Sequence, residues 1–333
     1  MESPLSQLPG AVRADAPDQE IAAHYGEPAH EQRALEAGTG FVDRSNRGVV
    51  RVSGPDRLGW LHSLLSQHME HLAPNEPTQA LLLSPHGHVE HHLHLVDDGE
   101  AVWAHVEPGT APALAEFLDR MRFMRQVEVE DVSDAYAVVT VPEGAKVAGA
   151  APDMPDVAGL VARIVRRDDL PALAEELRPA GMWAYEALRI AEHRARFGLD
   201  TDHRSIPHEM GWIEEAVHLE KGCYRGQETV ARVHNLGRPP RRLVFLHLDG
   251  SVDRLPAHGD PVEVPGGRAV GFVGSASRHH ELGPVALALV KRNVPVDAEL
   301  LAGGVAAAQE VVVSPDTGAN AKIDFRRHAA NRG

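Results

Sequence analysis

One stretch concentrates the reactive chemistry of this chain: Lys221-Gly222-Cys223-Tyr224-Arg225-Gly226-Gln227-Glu228. It holds the only cysteine among 333 residues. Lys221 and Arg225 lie within two residues of the thiol, and Arg232 follows further on. Positive charge nearby favours thiolate over thiol, so Cys223 is the candidate reactive group and Lys221 its candidate helper. Gly222 and Gly226 allow backbone conformations and close approaches that a Cβ would block. Gln227 and Glu228 add an amide and a carboxylate for holding a polar ligand. A plainer reading is a buried cysteine on a tight turn among solvated charges, because free cysteine is among the most buried residue types. The coincidence of charge, glycine and thiol on one short loop favours function.

A second concentration of titratable groups spans residues 86–94. From His88 to Val96 the pattern alternates, with Val89, His91, Leu93 and Leu95 on one face and Glu90, His92 and His94 on the other. If the strand extends through the turn Pro85-His86-Gly87, then His86, His88, His92 and His94 share a face with Glu90. Residues two apart on a strand are about 6.5–7 Å apart, so adjacent pairs could share a metal, but four in a row cannot reach one ion. The polar face of a half-exposed strand explains the row more simply, and no metal site is assigned. Arg238, Arg241 and Arg242 form a short basic run that reads as the cap of a strand end rather than a grip on RNA.

Composition narrows the functional classes. The formal net charge of −15 argues against broad electrostatic binding of nucleic acid. A single cysteine excludes an intramolecular disulfide and any multi-cysteine zinc or iron–sulfur site within the chain, and it fits a reducing compartment. The chain has neither a basic-then-apolar start nor an apolar run near 18 residues, so the expectation is a soluble cytoplasmic protein without a membrane partner. Hydrophobic residues make up 43%, enough for ordinary cores in two or three domains.

The elements that must position these groups can be read in order. Residues 1–20 lack periodicity and are expected to form a loose arm. A short helix is expected from His24 to Leu35, and a strand over Arg47–Ser53. Leu58, Leu61, Leu65, Met69 and Leu72, at spacings of three and four, predict an amphipathic helix. Strands are expected at 80–83, 88–96 and 101–106, a second helix over Thr110–Met124, then strands at 126–132 and 135–141. The order strand, helix, strand, strand, helix, strand suggests a split α+β layer structure. A long loop is expected over 142–156, a strand at 160–166, and helices at 170–177 and 182–196. Thr229–Val233 reads as a strand, Gly237-Arg238-Pro239-Pro240 as a boundary, and the five strands beyond it as a small antiparallel barrel. The tail from 319 is expected to be frayed.

Lys-Gly-Cys-Tyr-x-Gly-Gln-Glu at 221–228 resembles the signature of the YgfZ family, folate-binding relatives of the glycine-cleavage T-protein. The run Leu188-Arg189-Ile190 through Arg196-Phe197-Gly198, Ile206-Pro207-x-Glu209, and Ser53-Gly54-Pro55-Asp56-Arg57 before the leucine-rich helix are similar to the same group. The resemblance implies a three-domain ring around a folate-sized cavity. In it, a first α+β domain, residues 21–50 plus 130–237, wraps an inserted second α+β domain, 51–129. A C-terminal antiparallel β-barrel, 238–318, closes the ring, and 319–333 is a tail.

The resemblance further implies a tetrahydrofolate-binding accessory protein for iron–sulfur cluster assembly or repair, and thereby for tRNA modification. Its partners would be folate and iron–sulfur assembly or client proteins. Cys223 would sit at the cavity rim, tuned by Lys221 and Arg225, with Tyr224, Gln227 and Glu228 shaping the loop. Aminomethyltransferases carry an acidic pair where this chain has His91 and His92, which argues against glycine-cleavage chemistry. A pterin needs a carboxylate, and Glu192 or Glu209 could supply it. The alternative is a folate-dependent one-carbon transferase, and a third possibility is a noncatalytic docking protein.

Overall fold

In the computed structural model, residues 2–319 are described. The chain begins with a short 3-10 turn (Pro4–Gln7), then β1 (Val12–Arg13), β2 (Ala22–His24), α1 (Pro28–Glu36) and β3 (Gly40–Arg44). It next builds β4 (Gly48–Ser53), α2 (Arg57–Leu64), β5 (Pro77–Leu83), β6 (Val89–Asp97), β7 (Ala101–Val106), α3 (Ala111–Arg120) and β8 (Glu128–Asp131). These five strands form one sheet, ordered β5-β6-β7-β4-β8. The chain then returns through β9 (Tyr136–Val141), β10 (Met154–Pro155), β11 (Val161–Arg166), α4 (Leu170–Glu176) and β12 (Arg178–Ala180). Their sheet, β10-β11-β9-β3-β12, takes β3 from before the β4–β8 excursion, with β12 parallel to β3.

Helices α5 (Met182–Ala191), α6 (Pro207–Met210), α7 (Ile213–Ala216) and α8 (Gln227–Asn235) follow. Six strands then close a barrel: β13 (Arg241–Leu248), β14 (Pro261–Glu263), β15 (Ala269–His279), β16 (Gly283–Lys291), β17 (Leu300–Ala302) and β18 (Val305–Val311). The fold is mixed α+β with a closed antiparallel barrel at its C-terminal end, which eliminates free sheet edges there. Val49, Val96, Trp103, Val138, Met154 and Ile164 join the two five-stranded sheets in one apolar layer. Leu81, Leu83, Trp212, Tyr224, Phe245 and Leu287 join the β4–β8 sheet, the α6–α8 segment and the barrel in another. Among the described residues no helix is long and apolar enough to cross a membrane.

Several local expectations need correction. Residues 2–20 are not a loose arm: Leu5 is 1% exposed, β1 pairs with β2, and both Asp18 oxygens accept from Arg196 at 2.7 Å. The sequence shows no periodicity there because the segment is held by single anchors rather than by a repeating face. The leucine-spaced helix stops at Leu64, although Leu65 and Met69 still pack into the same core from extended chain. The helix expected to run to Arg196 ends at Ala191, and His193 turns into the left-handed region at φ 59°. The 142–156 loop contains β10 and is tied by Arg163, which donates to the carbonyls of Glu143, Ala145 and Val147 and pairs with Asp153. Thr229–Val233 is part of α8, not a strand. β-branched residues favour strands, but propensity is a weak prior, and here the segment continues the helix that begins after left-handed Gly226. The tail expectation falls almost entirely on 320–333, outside the described residues.

Candidate functional site

The loop Lys221–Gly226 connects α7 to α8 and lies against the β4–β8 sheet. Gly226 adopts φ +83°, and a Cβ there would stand 2.5 Å from the Ser84 carbonyl oxygen and 3.0 Å from Gly87 Cα. The loop can therefore close on the β5–β6 turn only with glycine at this position. Lys221 is buried, and its ammonium donates to the carbonyls of His62, Leu65 and Gln67, the last at 3.0 Å. It thus terminates α2 and lies 4.9 Å from the centre of the Tyr224 ring. Burial pushes its pKa down to about 8, against the pull of three carbonyls that bind the charged form best. Arg225 pairs with Glu90 at 2.6 Å and stands over the Phe117 ring at 5.2 Å.

Tyr224 is buried in the core shared with the barrel, and Gln227 donates to the Lys221 carbonyl at 3.4 Å. Glu228 is exposed in the first turn of α8. Both cations expected to tune the thiol are thus engaged elsewhere. Cys223 itself is exposed, so the buried-cysteine alternative does not describe this loop.

A cavity of about 270 Å³ lies where three parts of the chain meet. Gln79, His92 and His94 reach it from β5 and β6, Glu192 to Ala195 from the turn after α5, and Met210 to Trp212 from the end of α6. His92 Nε2 lies 2.8 Å from Gln79 Oε1, and its ring is 4.4 Å from Trp212 and 4.7 Å from His94. His94 in turn stacks on His105 at 4.9 Å, with planes 4° apart. Arg47 Nε donates to His105 Nδ1 at 2.9 Å, which places the proton of neutral His105 on Nε2. Burial pushes the His92 pKa down to about 3, and those of His94 and His105 well down too. All three are neutral imidazoles at neutral pH. Glu192 Oε1 accepts from the Ala158 amide at 2.6 Å, while Oε2 stands 3.7 Å from Arg194, whose side chain also borders the cavity.

The structure separates residues that the sequence grouped together. His92 and Glu192 line the cavity, whereas Cys223, Tyr224, Arg225, Gln227 and Glu228 are not among its walls. His91 points to the other face of β6, half-buried with Nδ1 unpartnered, and burial lowers its pKa to about 4. Glu209 is fully buried, pairs with Arg241 at 2.8 and 2.9 Å, and accepts from the Ile206 amide. It locks α6 to the barrel. The histidine row is broken as well: a register shift at Leu82–Leu83 separates the turn carrying His86 and His88 from His92 and His94. Among the described residues the one trio with ligand atoms within 4.8 Å of one another is Glu36, His279 and His280, which lies elsewhere. There His279 Nδ1 already accepts two backbone amides, from Glu281 and Leu282.

Sequence reasoning missed Gln79, Arg194 and Trp212. Arg194 and Trp212 lie in two short interhelical segments with no period to detect, and Gln79 is one polar residue in the apolar strand β5, where nothing local marks it as facing a cavity.

No family model matches the chain. It is 25% identical over 254 residues to a putative chloroplast transferase of Arabidopsis thaliana and 27% identical over 225 residues to the iron–sulfur cluster assembly factor IBA57 homologue of Mycosarcoma maydis. These matches cover 65% and 60% of this chain but only 57% and 55% of those relatives. An aminomethyltransferase of Nostoc is 24% identical over 330 residues, covering 84% of this chain and 86% of that protein. The crystal structure of glycine cleavage system aminomethyltransferase T from Bartonella henselae superposes with a TM-score of 0.78 over 93% of this chain and 96% of its own, at 17% identity. The chain therefore has the T-protein aminomethyltransferase fold.

Proposed function

We propose that this protein is a tetrahydrofolate-binding accessory factor for iron–sulfur cluster assembly or repair, with tRNA modification depending on it indirectly. The observation that carries the reading is the chemistry of the cavity wall. Moving an aminomethyl group requires a charged or basic group at the reacting nitrogen; buried His92, with its pKa down at about 3, can neither hold a proton nor take one efficiently at neutral pH, and the carboxylates of the wall are already engaged, Glu192 by the Ala158 amide and Glu215 by the Gln79 side chain. A site that binds without turnover fits this wall better. Trp212 offers a flat apolar face, while Gln79, Glu192 and Arg194 offer acceptors and donors for a heteroaromatic head group. A volume of about 270 Å³ suits that head group, with the remainder of the ligand outside. The relatives named as iron–sulfur cluster assembly factors support the biological role. Cys223, exposed and not among the cavity's walls, is the group this reading assigns to partner chemistry.

The competing reading is a folate-dependent one-carbon transferase. It is favoured by the length of the match to an aminomethyltransferase, which spans 86% of that protein. Titration calorimetry with tetrahydrofolate, followed by a test for ammonia or formaldehyde release from aminomethylated carrier or small methylamines, separates the two. Saturable binding weakened by Glu192→Gln, without turnover, supports the accessory role. Turnover supports the transferase, and absence of both heat and thermal stabilisation at millimolar ligand refutes folate binding.

A further inference from the structure

Four imidazoles gather beside the Cys223 loop, outside the cavity described above. His62 lies in the last turn of α2, His68 and His71 in the connection from α2 to β5, and His218 in the segment after α7. His68 is the hub: its ring centre is 4.5 Å from that of His62, 5.3 Å from that of His71 and 5.1 Å from that of His218. The backbone fixes this meeting. Met69 is fully buried and pins the turn that carries His68 and His71, closed by the Leu72 amide on the Met69 carbonyl. Buried Ser66 ties that connection to the other segment, its hydroxyl donating to the Ala216 carbonyl at 2.6 Å and its carbonyl accepting from the His218 amide at 3.0 Å.

His68 is half-buried, and His71 and His218 are exposed. Among the described residues no hydrogen bond takes up the ring nitrogens of these three, so their lone pairs stay open to a ligand. Zinc–nitrogen bonds of about 2.1 Å put a ring centre about 3.2 Å from the ion, so two imidazoles on one tetrahedral ion have centres about 5 Å apart. The separations of His68 from His71 and His218 match that value. As the rings stand, their nitrogens are not all within 4.8 Å of one another, so binding requires the exposed rings to turn. Exposed side chains change rotamer within ps–ns. Lys221 and Glu70 act on His62 with opposite signs, so the ammonium does not leave the cluster in a purely positive field. Imidazole ligands suit zinc, copper and nickel rather than magnesium or calcium.

We propose that His68, His71 and His218 bind one divalent transition-metal ion of the zinc type, with His62 packed edge-on behind His68 and water in the fourth position. The ion clips the α2–β5 connection to the segment that leads into the Cys223 loop. The proposal is independent of folate binding in the cavity. The test is calorimetry of the full chain with Zn²⁺, and visible absorption with Co²⁺ as a spectroscopic substitute. The expected result is one saturable Zn²⁺ site, a tetrahedral Co²⁺ spectrum that Zn²⁺ displaces, and a melting temperature that rises with Zn²⁺. Affinity should fall at least tenfold in His68→Ala and in His218→Ala, and stay unchanged in Cys223→Ala and in His86→Ala/His88→Ala. Should His68→Ala fold poorly, the exposed His218→Ala decides. Absence of saturable Zn²⁺ binding, undiminished binding in His218→Ala, or loss of binding in Cys223→Ala or in His86→Ala/His88→Ala overturns the proposal.

Discussion

Replacing Lys221 by methionine tests the most consequential reassignment, from thiol helper to helix terminator. Methionine keeps the apolar stem and removes the ammonium. Three carbonyls then lose their donor: Leu65 O in a buried contact, His62 O and Gln67 O in partly buried ones. A buried carbonyl left without a donor costs about 1–3 kcal/mol, and the two that water can reach about 0.5 kcal/mol each. The sum is about 2–4 kcal/mol. At roughly 2 °C per kcal/mol for a chain of this size, the variant should melt about 4–8 °C below wild type. Cys223→Ala, which removes an exposed side chain, should stay within about 0.5 kcal/mol. Scanning calorimetry on both variants, with urea midpoints as a check, measures the contrast. If Lys221→Met melts with wild type while native iodoacetamide alkylation of Cys223 slows markedly, the lysine serves the thiol and the reassignment is wrong.

Acid should destabilise the protein through its buried neutral histidines. For His92 the folded pKa of about 3 lies below the unfolded value near 6.5, so between these values the unfolded chain binds more protons and stability falls as pH drops. Each such histidine contributes about 1.4 kcal/mol per pH unit inside that window. His92→Gln should flatten the dependence of the urea midpoint between pH 6.5 and 5, and an unchanged slope would contradict the burial argument. Gly226→Ala should lower the melting temperature by several degrees and expose the β5–β6 turn to amide exchange, because its Cβ meets the Ser84 carbonyl at 2.5 Å; wild-type exchange there would show that the loop does not close on the turn. Arg196→Met should cost about 3–5 kcal/mol, since it strips the cation from the Asp18, Glu107 and Glu186 carboxylates. Limited proteolysis should then release the first 20 residues, and a resistant N-terminus would refute the anchoring role of Arg196.

The sequence by itself determined the features that rest on local rules. Alternation at 91–96 and the turn-separated strands beyond Gly237 encode a β6-type strand and a closed barrel, because side-chain period and turn chemistry act over a few residues; the alternation expected back to 88 fails at the register shift, which turns Val89 to the face of His92. The glycine–thiol–cation loop was also legible, down to the need for glycine at 226. What each loop side chain does was not legible. Sequence proximity puts Lys221 and Arg225 beside Cys223, but their partners, the carbonyls at the end of α2 and the Glu90 carboxylate, come from more than 130 residues away. The same holds for Glu209, which its spacing presents as a free carboxylate and Arg241 claims as an ion-pair partner. Likewise His91 and His92, adjacent in the chain, go to opposite faces, and only tertiary packing decides which face borders a cavity. Residues 2–20 make the point most plainly. Their order depends on Asp18 meeting Arg196, a contact with no local periodicity to announce it. Local patterns fix elements, whereas long-range ion pairs and the meeting of three parts of the chain fix the site.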